Sequence, residues 1–202
     1  MSRITSLTEL EALYGEPVPV SLAKVADRVI PTYRALIEAA PFCVLATCGP
    51  DGVDASPRGD APGFVRVEDE HTLMLPDRRG NNRGDSLRNL VADPRLALLF
   101  VIPGVGETVR VNGTGEVHAD AALCERFAVQ GRAPRTVLVV RVAEVYFQCS
   151  RAVLRARLWD PESQVDRASL PTPGRILAEV SAGRIGAEYD VGLQERLRAN
   201  LY

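Results

Sequence analysis

One stretch of the chain concentrates groups that can hold an anion. Leu75-Pro76-Asp77-Arg78-Arg79-Gly80-Asn81-Asn82-Arg83-Gly84-Asp85-Ser86 packs three arginines, two asparagines, two glycines and a serine between a strand end and a helix start. Guanidinium forks grip phosphates and carboxylates through paired hydrogen bonds. A helix start offers free amides, and glycines let backbone amides come close. Upstream, Ser56-Pro57-Arg58-Gly59-Asp60 puts another serine and arginine at the end of a neighbouring strand. The plain alternative is a solvated turn whose arginines face water. Of the 24 basic residues only Lys24 is a lysine. Schiff-base chemistry needs a lysine amine, and Lys24 lies in an ordinary amphipathic stretch, so a lysine-tethered pyridoxal enzyme is excluded.

Other reactive residues are sparse. Cys43, Cys48, Cys124 and Cys149 are scattered, without the spacing of a zinc knuckle or redox pair. With only His71 and His118 in the chain, no metal site is expected. The cysteines read as reduced thiols packed as small hydrophobes in a cytoplasmic protein. His71, after Asp69-Glu70, reads as a turn residue, and His118 as a strand end. Trp159 could cap a ligand or close a barrel mouth. No side chain is singled out as a catalytic acid or base: Asp60 and Asp77 suit holding arginines or a ligand better.

The elements that must position these groups follow from the pattern. Residues 7–40 read as helical: Ser6-Leu7-Thr8-Glu9 is a capping box, and a second helix runs from about Ser21 to Ala40 with a kink at Pro31. Phe42–Thr47 and Val53–Ser56 form a hairpin around Cys48-Gly49-Pro50-Asp51-Gly52. Strands follow at Phe64–Val67, His71–Leu75, Arg95–Ile102, Thr108–Val117 and Thr136–Phe147, with a bulge or close approach at Gly113 and Gly115. Short helices are expected before Asp93 and over Ala121–Val129, and broken helices from Ser150 on. Many short strands with few helices between them argue for an antiparallel barrel, mainly β with α, rather than a doubly wound sheet. The expected organisation is one domain over 1–202: helical arm 1–40, barrel core 42–149 and helical tail 150–202.

Composition narrows the class. The 202 residues are 46% hydrophobic and 25% charged, with net charge −2. That suits a folded domain and argues against disorder or a nucleic-acid binder. No run is apolar enough to span a membrane, and Met1–Leu10 lacks the pattern of a secretion signal.

The segments "ASPRGD" (Ala55–Asp60), "RRGNNRGDSLRNL" (Arg78–Leu90) and "PGVGETVRVNG" (Pro103–Gly113), in that order, resemble the pyridoxamine 5′-phosphate oxidase-like FMN-binding split-barrel family, over roughly Phe42 to Trp159. The resemblance implies an antiparallel split β-barrel and a homodimer with two FMN molecules at the subunit interface. It implies FMN-binding roles for Ser56 and for Arg58 at the phosphate. Leu75, Pro76 and Asp77 would run beside the isoalloxazine, with Arg78 and Asn81 next to them and Asn82 and Arg83 on the phosphate. Glu107 and Thr108 would reach the flavin from the partner subunit, the aromatic-Gln pair Phe147-Gln148 would lie near the ring, and Arg157 falls near a family arginine that points at it. The long strands Thr108–Val117 and Thr136–Phe147 would supply apolar dimer contact.

The chain departs from the true oxidases. A lysine that holds substrate phosphate is missing near Gly63, and Gln130–Arg135 turns into a strand without the family's serine loop. The expectation is an FMN-dependent oxidoreductase acting on a small molecule other than a vitamin B6 phosphate. A non-catalytic FMN carrier or sensor, or a barrel for haem or deazaflavin, which relatives of the fold bind, are the alternatives. No Gly-x-Gly-x-x-Gly fingerprint names an electron donor.

Overall fold

A computed structural model describes residues 3–202. The N-terminal arm holds three short helices where two were expected. Ser6 Oγ accepts from the Glu9 amide at 3.2 Å and caps α1 (Leu7–Tyr14). Glu9 reaches back to the Thr5 amide rather than to Ser6, so the expected box is shifted by one residue. The helix predicted over 21–40 is two pieces, α2 (Pro19–Ala23) and α3 (Pro31–Ala39). Pro31 opens α3 instead of kinking a longer helix. Its ring keeps the preceding residue out of the helical region, and its missing N–H costs nothing at a first helical position.

Seven strands follow: β1 (Phe42–Gly49), β2 (Gly52–Gly59), β3 (Arg66–Asp69), β4 (Thr72–Pro76), β5 (Arg95–Val101), β6 (Thr108–His118) and β7 (Val137–Gln148). They form one antiparallel sheet in the order β2-β1-β5-β6-β7-β4-β3. β2 stands first and β4 sixth, yet Arg58 of β2 touches Asp77, the residue after β4, at 2.5 Å. The sheet must therefore curl until its two ends nearly meet. The end strands β2 and β3 do not pair with each other, so the barrel stays open: it is an antiparallel split β-barrel. Pro57 is tolerated in β2 because that strand is an edge.

Alternation fills the interior. Cys43 and Leu45 of β1, Leu96, Leu98 and Phe100 of β5, and Val109 and Val111 of β6 are buried. α3 seals one side with Tyr33 and Ile37. The bulge falls where the glycines predicted it, with the β6–β7 register shifting between Asn112 and Gly113. A Cβ on Gly113 would overlap the Arg141 carbonyl oxygen. On the face of β6 and β7 away from the core, Arg110 donates to the Tyr146 hydroxyl (2.9 Å) and Asn112 to Glu144 (2.6 Å).

The remaining helices are α4 (Asp85–Ala92), α5 (Ala121–Glu125), α6 (Arg151–Ala156), α7 (Pro173–Val180) and α8 (Leu193–Ala199). α5 ends four residues before the expected Val129. Cys124 and Phe127 instead form a small second core with Val137. Among the described residues, no helix is long and apolar enough to cross a membrane.

Candidate functional site: an arginine-lined cleft

β2 sets the length of the site. Asp54, Ser56 and Arg58 alternate onto one half-buried face of the strand. At one end, Asp54 accepts from Ser86 Oγ at 2.5 Å, which ties the first turn of α4 to β2. At the other end, just past β2, Asp60 accepts from Arg78 Nε (2.6 Å), the Tyr202 hydroxyl (2.6 Å) and the Ala61 amide (2.7 Å). Between these anchors lies an open cleft of ≈ 1310 Å³, bounded by β2, the loop after β4, the start of α4 and the loop before β7.

The cleft is positive in character. Arg58 pairs with Asp77, Arg78 with Asp60, and Arg83 with Asp85. Arg79, Arg132 and Arg135 also line it; Arg132 donates to the main-chain oxygen of Tyr202 (2.6 Å), and among the described residues Arg79 and Arg135 have no carboxylate partner. Two buried polar atoms on its wall have no partner at all: Arg58 Nε and Thr136 Oγ1. They flank Asp77, whose carboxylate accepts from one terminal nitrogen of Arg58 while its amide donates to the Thr136 carbonyl (2.9 Å). Buried polar groups are satisfied as a rule, so these two donors point to a ligand that meets them.

The loop geometry is suited to an anion. Gly84, at φ 67°, starts α4 with no side-chain cap, which leaves the first helical amides free. Asn82 takes a left-handed φ of 59°, and Asn81 accepts from the Arg83 amide at 3.1 Å, which folds the loop back. Arg83 itself is 77% exposed. Arg79 on the same loop is exposed as well, and for these two arginines the solvated-turn alternative describes the chain as it stands.

Titratable groups around the cleft are displaced, Asp60 and Cys43 among them. Burial works against the Asp60 carboxylate, but the hydrogen bonds from Tyr202, Ala61 and Arg78 outweigh it and hold its pKa below the usual range. A depressed folded-state pKa stabilises the fold above the unfolded value of about 3.9, and that contribution disappears as pH falls through the lower folded value. Thermal midpoints measured from pH 6 down to pH 2 should therefore fall more steeply for the wild type than for Asp60→Asn, which starts lower. Parallel profiles would remove Asp60 from this role. Cys43, opposite Arg58 in the β1–β2 ladder, is pushed up to about 12 by burial, with Arg58 opposing. It is a packed thiol and not a nucleophile. Cys149, by contrast, is exposed.

Eight of the residues the sequence singled out, Ser56, Arg58, Pro76, Asp77, Arg78, Asn81, Asn82 and Arg83, meet on this cleft. Leu75 lies just beneath it, 2% exposed, under Arg58 and Asp77. Arg78 is committed to structure, with Nε on Asp60 and a terminal nitrogen on the Phe127 carbonyl (2.7 Å). The other five are not on the cleft of the same chain. Thr108 pairs with Gln148 and Val109 with Phe147 at the far ends of β6 and β7, and Glu107 precedes them. Lys24 lies 4.9 Å from the centre of the Phe147 ring. Arg157 is engaged by Asp160 and Glu162. Trp159 donates to the Val105 carbonyl at 2.7 Å, pinning the tail to the β5–β6 loop away from the cleft.

Sequence reading missed Arg132, Arg135, Thr136 and Tyr202 as site residues. The charges in Gln130–Arg135 were a usable signal. Tyr202 carried none, since it lies 142 positions from Asp60.

The fold and site together are a split barrel with an arginine-lined, lysine-free cleft at the ends of β2 and β4. The family model for pyridoxamine 5′-phosphate oxidase matches residues 29–149, and the chain belongs to that family. No curated protein is matched. Among solved structures, HupZ of Group A Streptococcus is 20% identical, covering 60% of this chain and 95% of its own (TM-score 0.49). A Lactobacillus delbrueckii protein provisionally described as a pyridoxamine 5′-phosphate oxidase is 22% identical, with 60% and 95% covered (TM-score 0.48). An FMN-binding protein from Syntrophomonas wolfei is 10% identical, with 56% and 82% covered (TM-score 0.44).

Proposed function

We propose that the protein is a homodimeric FMN-dependent oxidoreductase acting on a small molecule. The observation that carries this reading is the pair of orphaned donors, Arg58 Nε and Thr136 Oγ1, on a cleft that also holds Arg79 and Arg135, which have no carboxylate partner among the described residues. A flavin phosphate bears nearly two negative charges and suits guanidinium forks and free helix amides. Arg83 and the amides at the start of α4 would hold the phosphate, joined by Asn82. Arg58, kept in place by Asp77, would present its free Nε toward the ligand. Pro76 and Asp77 would run along the ring. The flavin supplies the redox chemistry, while the protein positions it and excludes water.

An absorbance spectrum of the protein as purified, followed by mass spectrometry of the released ligand, tests this reading. A flavin spectrum with the mass of FMN is expected. A Soret band or a deazaflavin mass would overturn it in favour of another ligand. Bleaching by NADH or NADPH with reoxidation in air is expected of an oxidoreductase, and its absence with every reductant would make the protein a flavin carrier.

Pyridoxamine 5′-phosphate is expected to be oxidised poorly or not at all. Gly63, near which the true oxidases carry a phosphate-holding lysine, has no side chain to offer a substrate phosphate. Steady-state assays beside a competent oxidase check this, and a comparable kcat/KM would reverse it.

A further inference from the structure

We infer that Tyr202 is the aromatic wall of the ring-binding end of the cleft and that Asp60 is the residue that positions it. The inference rests on the flavin reading above and adds a residue to it.

The cleft has two ends with different chemistry. The Asp54–Ser86 bond marks the end where α4 begins, with its uncapped amides. Asp60 marks the other end, six positions along the extended strand, roughly 20 Å away at the rise of a β-strand. A ligand with an anion at one extremity and a planar ring at the other, joined by a flexible chain, spans such a site with its ring toward Asp60.

Aromatic surface is scarce there. Among the described residues that bound the cleft, only Phe64 and Tyr202 are aromatic, and Phe64 is 7% exposed. Tyr202 is half-buried and held at three points. Its hydroxyl donates to Asp60 Oδ1 at 2.6 Å, Arg132 donates to its main-chain oxygen at 2.6 Å, and the Arg78 guanidinium lies 5.6 Å from the ring centre. The Asp60 side chain is 4% exposed and is itself fixed by Arg78. A carboxylate so enclosed is a rigid anchor, and a tyrosine has few rotamers to lose on stacking. Offset stacking of a phenol on a planar ring adds to binding beyond area burial.

The test uses FMN and riboflavin titrations of the wild type, Tyr202→Ala and Tyr202→Phe, reading both the dissociation constant and the emission of bound flavin, which a stacked phenol quenches. For Tyr202→Ala, affinity for both ligands should fall by the same factor, roughly three- to tenfold, and the bound flavin should become brighter. Tyr202→Phe keeps the ring and loses the Asp60 bond, so it should fall between the two in affinity and emission. A loss for FMN alone would place Tyr202 at the phosphate and overturn the inference. Lower affinity with unchanged emission would reduce it to a structural contact and overturn it as well. Wild-type affinity and emission in both variants would remove Tyr202 while leaving the flavin reading standing. A wild type that takes up neither flavin would end both.

Discussion

Arg58→Ala is expected to release flavin and destabilise the fold, whereas Arg83→Ala should do only the first. Arg83 is 77% exposed and pairs with Asp85 on the same loop, so the fold loses little without it. A bound phosphate would take its fork, and removing a charge-assisted hydrogen bond of that kind costs about 1.5–3 kcal/mol of FMN affinity. Riboflavin, which lacks the phosphate, should bind nearly as before. Arg58 differs because it ties the first strand of the sheet to the residue after the sixth. Its loss leaves the Asp77 carboxylate, 25% exposed, without its partner. The partial exposure reduces the penalty of a fully buried pair to about 1–2 kcal/mol of stability. Arg58→Lys should restore part of the stability and little of the FMN affinity, because an ammonium lacks the planar fork. Urea denaturation and flavin titration measure the two effects separately. Equal loss of FMN and riboflavin in Arg83→Ala, or an Arg58→Ala protein as stable as the wild type, would contradict these roles.

The strands were legible because they combine apolar alternation with dense turn chemistry. The Pro50-Asp51 turn and the Gly113 bulge lie where the sequence placed them, each enforced by backbone geometry that few residues allow. The loop of Leu75–Ser86 stood out by its composition, and the structure puts its Arg78, Asn81, Asn82 and Arg83 on one cleft. What pattern could not show is pairing between distant segments. That Arg78 is consumed by Asp60, that Arg58 is shared with Asp77, and that Tyr202 returns to β2 all depend on the curl of the sheet. The cross-strand pairs of Arg110 with Tyr146 and Asn112 with Glu144 were also hidden, because they sit as polar alternates within valine-rich runs. Pro31 was misread because proline is equally at home in a first turn and at a kink.

Flavin retention and dimerisation are expected to be linked. Glu107, Thr108, Phe147 and Gln148 cluster at the far ends of β6 and β7, while the arginine loop lies beside β2 and β4. In one chain these two sets do not share the cleft, so a flavin held by both would need two subunits. A ligand that binds only the dimer stabilises it by mass action. Light scattering of the flavin-loaded protein should report twice the 21.9 kDa chain mass, and dilution should release monomer and FMN together. A disrupting substitution must avoid the core. Val111 is fully buried, so a charge there would unfold the barrel rather than open an interface. Leu154 is the better choice: it is 68% exposed on α6, which follows Gln148 directly, and Trp159 pins that segment against the loop before Glu107. Leu158 adds a second exposed apolar side chain next to it. Leu154→Asp should therefore leave the monomer folded, lower the scattering mass toward one chain and weaken FMN by at least tenfold, since a dimer-only site vanishes with the dimer. A folded monomer that keeps FMN at wild-type affinity would show that one chain completes the site, and would remove Glu107 and Thr108 from it.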